Sequence, residues 1–246
     1  MGYHESLTEG RNAVLEAFRS GKTVDRLFVL DGCQDGPVKT ILREAKKQDT
    51  MVQYVKKERL DQLSETKNHQ GVIAYCAACE YAEVSDILEN AKKKGEAPFI
   101  VLLDGIEDPH NLGAIIRTAN QAGAHGVIIP KRRAVGLTAT VARTSAGAVN
   151  YTPVAKVTNL VTVMEDLKKE GMWFVCADMD GEEMYSLNLK GPIGLVIGNE
   201  GEGVSRLVKE HCDMVASIPM KGDIDSLNAS VAMVVLAYEI VRQRRF

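Results

Sequence analysis

Phe99-Ile-Val-Leu-Leu-Asp-Gly-Ile-Glu-Asp-Pro-His-Asn-Leu-Gly-Ala-Ile-Ile-Arg-Thr-Ala-Asn120 is the stretch whose reading decides the fold. Its first five residues form an apolar run suited to a buried parallel strand. A polar loop containing Pro109 follows, and Leu112, Ile115, Ile116 and Ala119 then recur at helical spacing. Asn111 stands where an N-cap is expected, and Gly123 where the helix should stop. Arg117 falls on the second turn, its side chain leaning toward the helix N-terminus, with Gly113 offering no obstruction. An amide and a guanidinium can thus converge beyond the carboxyl end of a strand, where open α/β folds bind ligands. An ordinary capped helix with a solvated arginine explains this stretch equally well when it is taken alone.

Outward from this stretch the pattern repeats. Strands are expected at 99–103, 126–129, 151–154, 173–177, 193–197 and 214–218. Helices are expected at 112–122, 138–147, 158–170, 204–211 and 227–243. Such alternation implies an α/β fold with a mostly parallel sheet and helices on both faces. The final helix carries Val231, Met233, Val234, Val235, Leu236, Tyr238, Ile240 and Val241. A helix apolar on nearly every side must be covered on every side, by the sheet and a neighbouring helix or by a second copy of the chain.

Residues 1–78 read as a smaller α/β unit, with helices at 9–18, 37–48 and 57–64 and strands at 26–30, 51–55 and 72–75. Residues 79–97 are polar and run into Gly95 and Pro98, the expected linker between two domains, 1–78 and 98–246. Hydrophobic residues make up 45 % of the 246, enough for a real core. No apolar run is long enough to span a bilayer. Five scattered cysteines fit a reducing, cytoplasmic setting, and Cys76-x-x-Cys79 reads as a strand end, not a metal site. Met1-Gly2 with Ser6 fits a myristoylation pattern too short to carry weight.

Net charge is −3, which by itself argues against a protein that coats nucleic acid. The distribution points the other way. No Asp or Glu occurs from Pro109 to Met164, whereas Arg117, Lys131, Arg132, Arg133, Arg143 and Lys156 do. A local positive field on a mildly acidic chain suits a polyanion bound at one face.

Two further stretches carry chemistry. Ile197-Gly-Asn-Glu-Gly-Glu-Gly-Val-Ser205 follows a buried strand with glycines at 198, 201 and 203. A dinucleotide loop is the rival reading, but Glu200 and Glu202 would repel a pyrophosphate and the loop does not follow the first strand of its unit. A cationic or hydroxyl-rich ligand such as S-adenosylmethionine suits it better. Ile218-Pro-Met-Lys-Gly-Asp-Ile-Asp-Ser-Leu-Asn-Ala-Ser230 leads into the last helix, with Ser226 as a plausible N-cap and Asn228 in the first turn.

Together these stretches resemble the three motifs of the SpoU (TrmH) class of SPOUT methyltransferases, which methylate ribose 2′-hydroxyls in RNA using S-adenosylmethionine. The first motif is matched by Asp108-Pro-His-Asn-Leu-Gly-Ala-Ile-Ile-Arg-Thr-Ala119, the second by Ile197–Gly203, the third by Ile218-Pro-Met through Ser226-Leu-Asn-Ala-Ser-Val-Ala232. Gly10-Arg-Asn-Ala-Val-Leu-Glu-Ala17 and His69-Gln-Gly-Val72 look like the L30e-like substrate-binding domain of some members. That layout is similar to the bacterial large-subunit rRNA guanosine 2′-O-methyltransferases. The resemblance implies a C-terminal trefoil knot, a homodimer and an rRNA substrate, with tRNA or a non-catalytic RNA-binding paralogue as alternatives. It implies that backbone groups of Gly198, Ile218 and Leu227 bind the cofactor, and that Asn111, Arg117, Glu200, Ser226 and Asn228 line the reaction site. No metal site is expected, since Cys76-x-x-Cys79 lacks a second pair and any nearby His cluster.

Overall fold

Residues 6–33, 35–223 and 226–245 are described by a computed structural model, in which the chain divides into two units. One comprises the residues up to Glu80 together with Gly136–Ala139, the other Tyr81–Val135 together with the residues from Thr140 onward. The Met1-Gly2 pattern lies outside the described residues, as do Ile224 and Asp225 of the third motif.

The first unit carries β1 (Ser6–Glu9), α1 (Arg11–Arg19), β2 (Val24–Leu30), α2 (Gly36–Lys47), β3 (Met51–Val55), α3 (Lys57–Leu63) and β4 (Val72–Cys76). The sheet order is β1-β4-β2-β3, with β2 and β3 parallel and the other pairs antiparallel. Strand β1 was not expected from the sequence, which places a helix from Glu9 onward. Gly10 at φ +86° turns the chain between β1 and α1, a conformation glycine adopts without steric cost. Glu9 braces the loop after α3: its carboxylate accepts from Ser64 Oγ, from Glu65 N at 2.8 Å, and from Thr66 N and Oγ1 at 3.1 and 3.0 Å. Burial works against this carboxylate, yet those hydrogen bonds hold it below its ordinary pKa. Cys76 closes β4, and the cysteines are all free.

The second unit contains α4 (Val84–Lys94), β5 (Phe99–Asp104), α5 (Pro109–Gln121), β6 (Gly126–Pro130), α6 (Ala139–Thr144), β7 (Val154–Val157), α7 (Leu160–Lys169), β8 (Trp173–Glu183), β9 (Ile193–Gly198), α8 (Arg206–Glu210), β10 (Met214–Ser217) and α9 (Ala229–Arg245). Every neighbouring pair in its sheet is parallel, in the order β10-β8-β9-β5-β6-β7. The stretch read as a linker contains α4, whose Ile87 is buried in the core with Ile100, Leu102 and Ile128. Strand β7 begins at Val154, later than the 151–154 expected, because a 3₁₀ turn occupies Ala148–Asn150 and Pro153 has no N–H to donate.

Helix α9 is not covered on every side within this chain. Met233, Leu236, Ala237 and Ile240 are buried, whereas Val231, Val234 and Tyr238 are 45 %, 39 % and 47 % exposed. Near its end, Arg244 donates to the carbonyls of Ala97 (3.0 Å), Pro98 (2.9 Å) and Gly191 (2.7 Å) and lies over the Phe99 ring. The buried His125 accepts from Phe99 N at Nδ1 (3.0 Å), which fixes Nε2 as the protonated nitrogen, 3.1 Å from Glu96. Burial first, then nearby Lys94, pushes this imidazole below its usual pKa against the pull of Glu96.

Candidate active site

Strands β5 and β9 lie side by side, with Asp104 opposite Gly198 at their carboxyl ends. From β5 the chain proceeds outward through β6 and β7, then returns to build β8, β9 and β10 on the other side. The β5–β9 seam is thus the topological switch point, where parallel sheets leave a crevice for ligands. Three stretches border it: 105–108 after β5, 199–205 after β9, and 218–223 with 226–228 ahead of α9.

Helix α5 starts earlier than its sequence suggests. Pro109, whose missing N–H costs nothing at a first helical position, opens it, and Asp108 is the N-cap, accepting from His110 N at 2.8 Å. Asn111 therefore lies inside the first turn, 8 % exposed, with its amide free for a longer-range partner. That partner is Glu200. Asn111 Nδ2 donates to Glu200 Oε1, Asn228 Nδ2 donates to the same oxygen at 3.1 Å, and Asn228 Nδ2 also donates to Asn111 Oδ1 at 3.1 Å. Residues 117 positions apart thus share one carboxylate. Asn228, not Ser226, stands ahead of α9: its Oδ1 accepts from Ser230 N at 2.9 Å. The sequence assigns that capping to Ser226; helix α9 begins two residues too late for it.

The glycine loop is held at both ends. Asp104, 7 % exposed, accepts from Ser205 N at 2.8 Å, and Asn199 Oδ1 accepts from Gly201 N and Glu202 N at 2.9 and 2.7 Å. A Cβ at Gly198 would overlap the Gly203 backbone, so that close approach requires glycine. Behind the loop lies a cavity of about 490 Å³. Gly198, Ile218 and Leu227 line it, together with Ser226, Glu200 and the carboxylates of Asp178 and Asp180. Burial raises the Asp178 carboxyl, but Lys209 Nζ at 2.7 Å and Asp180 N hold it below the ordinary value, so it stays ionised. Apolar walls, backbone groups and an ionised acid fit a ligand with a flat apolar ring, hydroxyls and positive charge.

No hydrogen bond among the described residues joins the Arg117 guanidinium to the Asn111 amide. The Arg117 side chain is exposed and makes no hydrogen bond or ion pair among the described residues. Gly113 does not clear a path for it. A Cβ there would overlap the Thr144 hydroxyl, so Gly113 lets α6 approach α5. Sequence reading also missed Arg133, whose φ of +54° is unusual for a residue with a Cβ, and which shares a second cavity of about 330 Å³ with Glu107. The one available signal was its place in the acid-free stretch.

Comparisons with known proteins identify the family. Residues 98–238 match the model of the SpoU rRNA methylase family, and residues 7–82 match a model described as RNA 2′-O ribose methyltransferase substrate binding. The Bacillus subtilis protein YacO, named for the TrmH family of tRNA/rRNA methyltransferases, is 48 % identical over 96 % of this chain and 94 % of its own. The SpoU methyltransferase AviRb of Streptomyces viridochromogenes, solved with AdoMet, is 27 % identical with a TM-score of 0.62, over 98 % of this chain and 91 % of that one. A TrmH/SpoU tRNA-modifying enzyme of A. aeolicus is 27 % identical with a TM-score of 0.56, over 65 % of this chain and 84 % of its own. With both family models matched, and with Asn111, Glu200 and Asn228 joined at one switch point, the chain belongs to the SpoU family of RNA 2′-O-ribose methyltransferases.

Proposed function

We propose that the protein methylates the ribose 2′-hydroxyl of a guanosine in large-subunit rRNA, using S-adenosylmethionine, as a cytoplasmic homodimer. The observation that carries this reading is the single carboxylate, Glu200, held by Asn111 and Asn228 at the mouth of the glycine-loop cavity. When bound in that cavity, the cofactor supplies an electrophilic methyl on a sulfonium. The remaining requirements are in-line positioning, acceptance of the hydroxyl proton and relief of charge on the attacking oxygen.

This chain's residues supply each of these. Backbone groups of Gly198, Ile218 and Leu227 hold the cofactor, and Ser226 lines the same wall. Two amides fix Glu200 through Oε1, which leaves Oε2 to take the ribose proton as the oxygen bonds to carbon. A guanidinium presents donors and no acceptor, so Arg117 serves as a clamp on the substrate phosphate and the developing oxyanion, not as a base. Its lack of a partner among the described residues suits a side chain whose partner is RNA.

The N-terminal unit, 1–78, selects the RNA; 79–97 connects it to the catalytic domain, whose chain is tied in a trefoil knot. The exposed Val231, Val234 and Tyr238 stripe of α9 is covered by the second copy. Mapping 2′-O-methylation across rRNA and tRNA in a deletion strain tests the reading: loss of one rRNA guanosine methyl supports it, and loss of a tRNA methyl replaces the substrate. Light scattering on the purified chain should return twice 26.9 kDa.

A further inference from the structure

The loop 199–203 is a wall between two cavities. The larger is the one assigned above to the cofactor; the smaller, of about 330 Å³, is lined by Asn199, Glu200, Glu202 and Gly203 from the other side. A methyl acceptor must lie within bonding reach of the donor, so the nucleotide being modified belongs in the cavity across this shared loop.

The chemistry of that second cavity is specific. Asp104 and Asp108 also line it, but each is already engaged, with Ser205 N and His110 N. Glu107, Glu202 and Arg133 are not: all three are exposed, and none makes a side-chain ion pair or hydrogen bond among the described residues; Glu202 also lines the larger cavity, which leaves Glu107 as the unpaired acid of the smaller one alone. An acid and a cation that line one cavity without pairing are placed to be bridged by a ligand presenting acceptors toward one and donors toward the other. We infer that this cavity is a nucleobase subsite selecting guanine, with Arg133 donating to O6 and N7 and Glu107 accepting from N1–H and the 2-amino group.

Guanine is the one common base that fits both ends. Its O6/N7 edge takes a guanidinium fork, and its adjacent N1–H and N2–H₂ offer two donors to a carboxylate. Adenine places an amino donor where Arg133 needs an acceptor and offers Glu107 no pair of donors. Pyrimidines lack the N7 side altogether. A cavity of this size holds one base, and an unstacked base is read in this way by proteins that act on single-stranded RNA. The inference rests on the methyltransferase reading only for why a nucleotide is there; the base preference can be measured without turnover.

The test therefore has two arms. In the first, binding of guanosine, inosine and adenosine 5′-monophosphates to the full chain with S-adenosylhomocysteine is followed by NMR or calorimetry. Guanosine monophosphate should bind more tightly than adenosine monophosphate by roughly ten- to a hundredfold, the scale of one bidentate base contact. Inosine monophosphate, which lacks the 2-amino group, should fall between. Glu107→Gln should erase the guanosine-over-inosine difference, and Arg133→Ala should weaken both equally. Equal binding of guanosine and adenosine monophosphates, or a guanosine preference unchanged in Glu107→Gln, would overturn the inference. In the second arm, methyl transfer to large-subunit rRNA transcripts is measured with the same variants: Glu107→Gln should raise KM with little change in kcat, and S-adenosylmethionine affinity should be unmoved. A guanosine preference in the first arm with no methyl transfer from wild type in the second would sink the reaction assigned above and leave the subsite standing.

Discussion

Two carboxylates, Glu9 in the first unit and Glu200 in the second, do the same elementary thing to opposite ends. Each is fixed by hydrogen-bond donors distant in sequence: Ser64, Glu65 and Thr66 for Glu9, Asn111 and Asn228 for Glu200. Glu9 spends both oxygens on the protein, and its donors are two backbone amides and two hydroxyls of one turn. Among the described residues Glu200 spends one oxygen, its donors are side chains, and it borders two cavities. A satisfied acid holds a loop together; a half-satisfied acid at a cavity mouth is poised to meet something else.

Breaking Glu200 should give the largest effect. Glu200→Ala should lower kcat by roughly 10²–10⁴, the scale for losing one positioned acid–base group. Glu200→Gln separates the two jobs: the amide can still accept from Asn111 and Asn228 but cannot take a proton at neutral pH. A glutamine variant with near wild-type kcat would remove Glu200 as the acceptor and leave it an anchor.

Arg117→Ala should fall in a similar range, roughly 10²–10⁴, with S-adenosylmethionine binding nearly unchanged, because no cavity-lining group is altered. The lysine variant sharpens this. As a clamp, Arg117→Lys keeps the charge, loses the fork and stays impaired at every pH. If Arg117 were the base, the lysine variant's rate would climb steeply toward pH 10.

The Glu9 side of the comparison should show in stability instead. Glu9→Ala removes the acceptor from four donors and should cost roughly 1–3 kcal/mol in the first unit, read by chemical denaturation. Cofactor affinity should stay as it was; a loss there would mean that the two acids are not separate.

How much of this could be read from sequence follows from the range of each interaction. Strands β5, β6 and β9 declare themselves because a buried parallel strand is apolar throughout. The three motifs were found because each is a local signature. What escaped was set by partners elsewhere. Asn111 looks like a cap until Asp108 and Pro109 are seen to start the helix, and Gly113 looks like open space until Thr144 is seen against it. The Glu107 and Arg133 cavity has no local pattern, since its residues come from three loops.

The smallest predicted effect concerns His125, buried neutral with Nδ1 occupied by Phe99 N–H. Its folded pKa is depressed, so its contribution is intact above the unfolded value of about 6.5 and is lost as pH falls below that. Thermal stability of the wild type should decline on acidification through that window more steeply than that of His125→Gln. An imidazole that titrates at or above 6.5 by NMR would remove the basis for this.

Arg244 carries a consequence for the order in which the molecule can be made. Its guanidinium ties the carbonyls of Ala97, Pro98 and Gly191, so the start of β5 is finished by a residue 146 positions further along. At roughly 5–20 residues per second of synthesis, the start of β5 leaves the ribosome about 7–30 s before its clasp does. The strand on which the reaction site is built spends that interval unlaced. Its apolar residues depend on whatever shields a nascent chain until the last helix arrives.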